Sequence, residues 1–324
     1  MNLKLRTNSQ FTIDNSQLNI TGSKSETNRL LLLQALFPNI TLTNTSNSDD
    51  SEVMQKALKG NEEIVDIHHA GTAMRFLTAF FAVNEGREVV LTGSQRMTER
   101  PIKVLVEALE QLGAKISYEN EVGYPPIQIK GQKITASKVS IPANVSSQYI
   151  SALLLVAPKL ENGIEITLVG EITSVPYIKM TLALLNDLDV KTSFEGNVIS
   201  VYPKQEVASK IMTVESDWSS ASYFFSLVAL AKSASISLTS YKETSLQGDS
   251  ALIEIYKQMG VATHFENNKM TLVKQTGFEP KNLKLELNNT PDIAQTIVVT
   301  CLGLGISCHL TGLHTLKIKE TDRL

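Results

Sequence analysis

Two kinds of apolar segment alternate along this chain. One kind opens on small polar residues and runs into an almost wholly apolar stretch: GSKSETNRLLLLQAL from Gly22, AGTAMRFLTAFFAV from Ala70, VSSQYISALLLVAP from Val145, DWSSASYFFSLVALA from Asp217 and TPDIAQTIVVTCLGL from Thr290. A helix that is apolar around most of its circumference must be buried, so these segments are predicted to be core helices. The other kind is amphipathic: RPIKVLVEALEQLGA from Arg100, VPYIKMTLALLNDLDV from Val175 and GDSALIEIYKQMGV from Gly248. Each keeps a polar face and is expected to lie against a sheet or solvent. Their endings, LGA, LDV and MGV, read as helix stops followed by a return to strand. Pro101 is expected in the first turn of its helix.

Short β-rich runs separate the helices, among them REVVLTG, KVSIPA, GIEITLVG, NVISVYP and ASISLTS. Later copies of each helix type recur at roughly 70 to 75 residues, the mark of an internally duplicated αβ unit. The same register puts KETDRL, the last residues of the sequence, where another amphipathic helix is expected to begin, so the sequence reads as truncated there.

The helix openings carry the candidate chemistry. In GSKSETNR, Gly22 permits a tight loop, Ser23 and Ser25 offer hydroxyls, and Lys24 and Arg29 bring cations to a helix N-terminus. Such an end presents unpaired N–H groups and positive potential, which suits phosphate or carboxylate; capping by serine with two solvated charges is the bland alternative. The spacing is not that of a Walker loop. Ser146, Ser147 and Gln148 open another such helix, Gly71 lets backbone approach a ligand closely, and Arg100 precedes Pro101. Copies of one unit that face one another would direct several helix N-termini into a shared cleft. Asp292 follows Pro291 at a helix start, where it either caps or exchanges protons, and Lys319, Glu320, Asp322 and Arg323 form a charged run near the end.

Composition narrows the partners. The chain has 324 residues, 42% of them hydrophobic and 19% charged, with a formal net charge of −3. That is an ordinary globular composition, long enough for about two domains. It gives no global reason to expect nucleic acid or an anionic membrane, so any anion must be held by locally placed Lys and Arg. The opening MNLKLRTNSQ lacks an apolar signal core, and no apolar run has membrane-spanning length. Cys301 and Cys308 make neither a disulfide framework nor a zinc site, and a reducing cytoplasm is the simplest setting. His68 and His69 are adjacent and have no further ligand at a metal-binding spacing, so no metal is expected.

Taken in order, GSKSETNR, SDDSEVM, AGTAMRFL, LTGSQRMTERPI, YPPIQIKG, VSSQYISALLL, PYIKMTL, SSASYFF, LQGD, PDIAQT and IKETDRL resemble the 5-enolpyruvylshikimate-3-phosphate synthase family, from near residue 22 to the end. The resemblance implies an α/β (α+β) enolpyruvyl transferase fold of two lobes, each an inside-out α/β barrel of repeated αβ units with the active site in the cleft between them. One lobe is expected over residues 22–214, and the other, incomplete, from 1–21 with 215–324. It implies enolpyruvyl transfer from phosphoenolpyruvate to the 5-hydroxyl of shikimate 3-phosphate through a tetrahedral intermediate, by a cytoplasmic monomer that needs no cofactor. Ser25, Arg29, Ser146, Ser147, Gln148, Ser174, Tyr177, Asp292, Thr315 and Lys319, with Lys24, are expected to hold shikimate 3-phosphate. Lys24, Gly71, Arg100, Gln148 and Arg323 are expected to hold phosphoenolpyruvate. Asp292, Glu320 and Lys24 are the candidate proton-transfer groups.

Three departures from the family pattern stand out. His69 replaces a common Asn and Phe76 a common Pro beside Gly71, so glyphosate sensitivity is expected to differ, and Thr315 replaces a common Asn. The family's C-terminal Arg and Lys ligands lie beyond this sequence, so little turnover is expected of it. Two alternatives carry different chemistry. A fragment that only binds shikimate 3-phosphate keeps Lys24, Arg29, Ser146, Ser147 and Lys319. The UDP-N-acetylglucosamine enolpyruvyl transferases share the fold, but usually open on a Lys-Asn pair and carry a reactive loop Cys.

Overall fold

The computed structural model describes residues 12–170, 172, 175–318 and 323. They form two compact units: Gly22–Val214, and the described parts of Met1–Thr21 with Glu215–Leu324.

The second of these begins with β1 (Thr12–Leu18), and the chain then builds the whole of the Gly22–Val214 unit. Its elements are α1 (Lys24–Leu36), β2 (Ile40–Thr43), α2 (Asp49–Lys59), β3 (Ile64–Asp66), α3 (Gly71–Val83), β4 (Glu88–Thr92), α4 (Gln95–Thr98), α5 (Lys103–Gln111), β5 (Lys115–Tyr118), β6 (Ile127–Lys130), β7 (Lys138–Pro142), α6 (Ser147–Val156), β8 (Ile164–Val169), α7 (Val175–Asp187), β9 (Thr192–Glu195), β10 (Val198–Val201) and β11 (Lys210–Thr213). The other unit resumes with α8 (Trp218–Leu230), β12 (Ser233–Thr239), α9 (Leu252–Lys257), β13 (Val261–Glu266), β14 (Lys269–Lys274), β15 (Leu283–Glu286), α10 (Ala294–Leu304) and β16 (Cys308–Thr311).

The duplicated unit is visible in the sheets. Strand orders β3-β4-β6-β5, β7-β8-β10-β9 and β1-β12-β14-β13 are the same design, a parallel pair followed by two antiparallel neighbours. A parallel pair needs a crossover, and α3 supplies it between β3 and β4, α6 between β7 and β8, and α10 between β15 and β16. Two pairs are closed from afar instead: β2 lies beside β11, and β12 beside β1. The amphipathic helices end as their sequences predict, in left-handed residues: Gly113 at φ 100°, Asp189 at φ 56° and Gly260 at φ 81°. In GDSALIEIYKQMGV a 3-10 turn over Gly248–Ala251 precedes the short α9.

Burial of the apolar helices differs from the expectation. α3 is buried from Gly71 through Ala82, and α1 and α6 bury their leucine runs. α8 and α10 bury Trp218, Phe225, Ile297 and Cys301 but expose Tyr223, Leu227, Val298, Val299 and Leu302. Each packs against a sheet and against the other along one side, so an apolar outer face remains open among the described residues. No described helix is long and apolar enough to cross a membrane.

Candidate active site

In the Gly22–Val214 unit the predicted anion ligands meet where α1, α3 and α6 begin. Ser23 caps α1, its Oγ accepting from the Glu26 N–H at 3.1 Å, and so orients Lys24 and Ser25 at the helix entrance. Ser146 does the same for α6 by accepting from the Gln148 N–H at 3.3 Å; its hydroxyl is a cap before it is anything else. Ser147 is buried one residue on. The Gln148 side chain reaches across to α3, where Nε2 donates to Thr72 Oγ1 at 3.3 Å.

Gly71, the first residue of α3, has no side chain for a geometric reason. A Cβ there would lie 2.5 Å from Nη1 and 2.9 Å from Cζ of Arg100, so the guanidinium rests directly on the helix start. The α3 N-terminus has no side-chain cap on its leading residue, and the Ala73 N–H favours the ionised form of the nearby Asp50. Asp50 also accepts from Asn28 Nδ2 at 2.9 Å, and Asn28 Oδ1 takes the Ser51 hydroxyl at 2.8 Å. Burial, the largest influence, pushes the Asp50 carboxyl above its usual range, while Lys24, Asn28, Ala73 and Arg100 pull the other way. Arg100 and Gln148 therefore meet at one helix end, and the charges of Lys24 and Arg100 both favour ionised Asp50.

A second guanidinium lies beneath. Arg75 is 4% exposed, donates from Nη1 to the Gly71 carbonyl at 3.1 Å and from Nη2 to the Pro101 carbonyl at 2.9 Å, and stacks over Tyr149. Tyr149 Oη donates to the same Pro101 carbonyl at 2.7 Å. This corrects the expectation for Pro101: its carbonyl is held by Arg75 and Tyr149, Ile102 is the N-cap, and α5 starts at Lys103. Arg100 is thus carried on an anchored segment ahead of the helix.

Arg29 is placed more deeply than a solvent-facing ligand. Its Nε donates to Thr181 Oγ1 at 2.8 Å, Nη1 to the Ser25 carbonyl at 2.7 Å and Nη2 to Ser151 Oγ at 3.1 Å, with Phe76 and Tyr177 against its faces. Burial lowers its pKa to about 10, opposed by Tyr177 and Glu26, so it stays a cation at neutral pH. His69 Nδ1 meets Ser94 Oγ at 2.7 Å, just ahead of α3, and Ser94 caps α4.

The other unit carries the acidic group. Asp292 lies in the 3-10 turn Pro291–Ile293 that leads into α10, as its position after Pro291 suggested. Its Oδ1 takes Arg323 Nη1 at 3.0 Å, and the Arg323 N–H donates to the Leu316 carbonyl at 3.2 Å. Thr315 lies in the 3-10 turn His314–Ile318. Ser174, Lys319 and Glu320 lie outside the described residues. Two carboxylates, Asp50 and Asp249, were given no role from sequence. Both sit in quoted motifs, SDDSEVM and LQGD, but their partners are 22 to 41 residues away. No described His, Cys, Asp and Glu residues group as metal ligands.

The chain is similar to known proteins. Residues 56–324 fit the family described as EPSP synthase (3-phosphoshikimate 1-carboxyvinyltransferase). The 3-phosphoshikimate 1-carboxyvinyltransferase of Bacteroides fragilis strain YCH46 is 44% identical over 308 residues, covering 95% of this chain and 75% of that one. The enzyme of the same name from Histophilus somni strain 2336 is 36% identical, covering 95% of this chain and 77% of its own length. Among solved structures, an EPSP synthase from Acinetobacter baumannii superposes with a TM-score of 0.74 over 97% of this chain and 76% of that one. At 21% identity it supports the fold alone.

Proposed function

The chain belongs to the EPSP synthase (3-phosphoshikimate 1-carboxyvinyltransferase) family, and from that membership we propose that it transfers the enolpyruvyl group of phosphoenolpyruvate to the 5-hydroxyl of shikimate 3-phosphate, releasing phosphate in the shikimate pathway. The observation that carries this reading for the chain itself is the cation-lined start of α3, where the Arg100 guanidinium lies on Gly71. Each substrate brings a phosphate and a carboxylate, and their mutual repulsion is offset by charge-assisted hydrogen bonds from Lys and Arg. The α3 N-terminus adds positive potential without a mobile side chain.

In this reading Lys24, Gly71, Arg100, Gln148 and Arg323 bind phosphoenolpyruvate. Lys24, Ser25, Arg29, Ser146, Ser147, Gln148, Ser174, Tyr177, Asp292, Thr315 and Lys319 bind shikimate 3-phosphate, Arg29 chiefly by holding Ser25 and Tyr177 in place. Addition forms a bond from the 5-hydroxyl oxygen to the enol carbon, with the hydroxyl proton lost and a proton gained at the methylene carbon. Elimination breaks the bond from that carbon to the phosphate oxygen and returns the methyl proton. Asp292 takes the hydroxyl proton, Glu320 exchanges the methyl proton, and Lys24 stabilises the bridging oxygen. Before it can act, Asp292 must be released from Arg323, which then turns to the substrate carboxylate. The protein acts in the cytoplasm as a monomer.

Calorimetric titration with each substrate, followed by phosphate release with both, tests this. Saturable binding of shikimate 3-phosphate is expected, with phosphoenolpyruvate bound at least about tenfold more weakly by Arg100→Ala, a loss of about 1.4 kcal/mol. Failure to bind either substrate, or transfer to UDP-N-acetylglucosamine instead, would sink the proposal.

A further inference from the structure

Asp249 has no place in the chemistry above, yet its carboxyl joins two helix starts of its unit. It lies in the 3-10 turn Gly248–Ala251, and Gly248 makes that turn's position possible: a Cβ there would lie 2.5 Å from the Asn289 carbonyl oxygen. The LQGD turn and the turn carrying Asn289 and Thr290 are thereby pressed backbone against backbone. The two oxygens of the Asp249 carboxyl then take one hydroxyl each, Ser219 on Oδ2 and Thr290 on Oδ1. Ser219 belongs to the first turn of α8, whose N-cap is Asp217. Thr290 is the N-cap of the turn that carries Asp292, is 5% exposed, and makes no capping bond from its side chain. A threonine at that position ordinarily spends its hydroxyl on its own helix; this one spends it on Asp249.

We infer that Asp249 is a positioning residue for Asp292, fixing the Thr290–Asp292 turn against the start of α8 through paired hydroxyl bonds. The inference rests on the catalytic role proposed for Asp292. The tie is short: a single residue, Pro291, separates Thr290 from the reacting carboxylate, and its φ is fixed. Anchoring Thr290 therefore limits where the Asp292 backbone can go. Burial raises the proton affinity of Asp249, and Asp292 and Asp217 raise it further, whereas the Ser219 and Thr290 hydroxyls lower it. Its two acceptor oxygens hold two helix starts from one point, with no cationic partner among its described contacts.

Amide hydrogen exchange and turnover together test the proposal on the full 324-residue chain. In Asp249→Ala and in Thr290→Val, exchange across residues 288–296 rises at least about tenfold, while β12 and β14 keep the rates of the unsubstituted protein. Thr290→Ser retains the hydroxyl and restores the slow exchange. In phosphate release, Asp249→Ala lowers kcat about tenfold or more with less than about a twofold change in the KM for phosphoenolpyruvate. The double variant Asp249→Ala/Thr290→Val is no slower than Asp249→Ala alone, since Asp249→Ala already removes the bond that Thr290→Val breaks. Unchanged exchange at 288–296, an equal rise in β12 and β14, or additive rate losses overturns the inference. Should the unsubstituted chain bind neither substrate, the proposed function falls while the exchange pattern still decides whether Asp249 anchors the turn.

Discussion

The two units use the same helix type to different ends. In Gly22–Val214, α1, α3 and α6 pack on one another, and Phe76, Phe81, Leu30 and Leu32 are all but sealed from solvent. In the other unit, α8 and α10 pair along one side only, leaving Tyr223 64%, Val299 61% and Leu302 79% exposed. The polar contacts differ in kind as well. The buried Arg29 guanidinium joins α1 to α6 and α7 through Ser151 and Thr181. Between α8 and α10 the contacts are a ladder of neutral hydroxyls, Ser222 with Thr296 at 3.1 Å and Ser226 with Thr300 at 2.7 Å. Apolar composition alone thus does not decide burial; the number of neighbours around a helix does.

The contrast can be broken most sharply at Phe76, which is buried and lies under the Arg29 guanidinium. Phe76→Ala is expected to cost about 3–5 kcal/mol in urea unfolding of the Gly22–Val214 unit. A smaller but more local effect belongs to Gly71→Ala: the new methyl must push Arg100 aside, so phosphoenolpyruvate binding should weaken about tenfold, read by titration, with the melting temperature little changed.

Among the described residues each unit holds one carboxyl raised by burial, Asp50 and Asp249. A raised carboxyl binds more protons folded than unfolded, so its contribution is present below the unfolded value and is lost as pH rises through the folded one. Stability measured upward from the usual carboxylate range should therefore fall through each raised value, and Asp50→Asn or Asp249→Asn should flatten that slope. A slope unchanged by both substitutions would place its origin elsewhere. The smallest effect is expected at the open face: Leu302→Ala should shift stability by less than about 0.5 kcal/mol, and a loss several times larger would mean that the face is covered in solution.

The repeat, the helix types and their left-handed stops were legible because each is written locally, in periodicity and in turn residues. Asp189 shows the limit even there, since the left-handed stop in LDV is an aspartate where glycine is the usual choice. The helix openings at Ser23 and Ser146 were readable as caps for the same local reason. What stayed hidden depends on partners distant in sequence. Nothing near Pro101 reveals that Arg75 and Tyr149 claim its carbonyl and delay α5. Nothing near Asp50 reveals its bond from Asn28, and nothing near Arg29 reveals that Thr181 and Ser151, from far along the chain, accept from its guanidinium.

The remote closure of β2 by β11 has a consequence for synthesis. Thr43 and Thr213, whose hydroxyls meet in that pair, are 170 residues apart. At ~5–20 residues per second, β2 leaves the ribosome roughly ten to thirty seconds before its partner exists. During that interval its edge is open to any passing strand, and the polar threonines and short length of ITLT blunt the risk of mispairing. A nascent chain halted before residue 210 should accordingly be far more prone to aggregate than one released just after Val214.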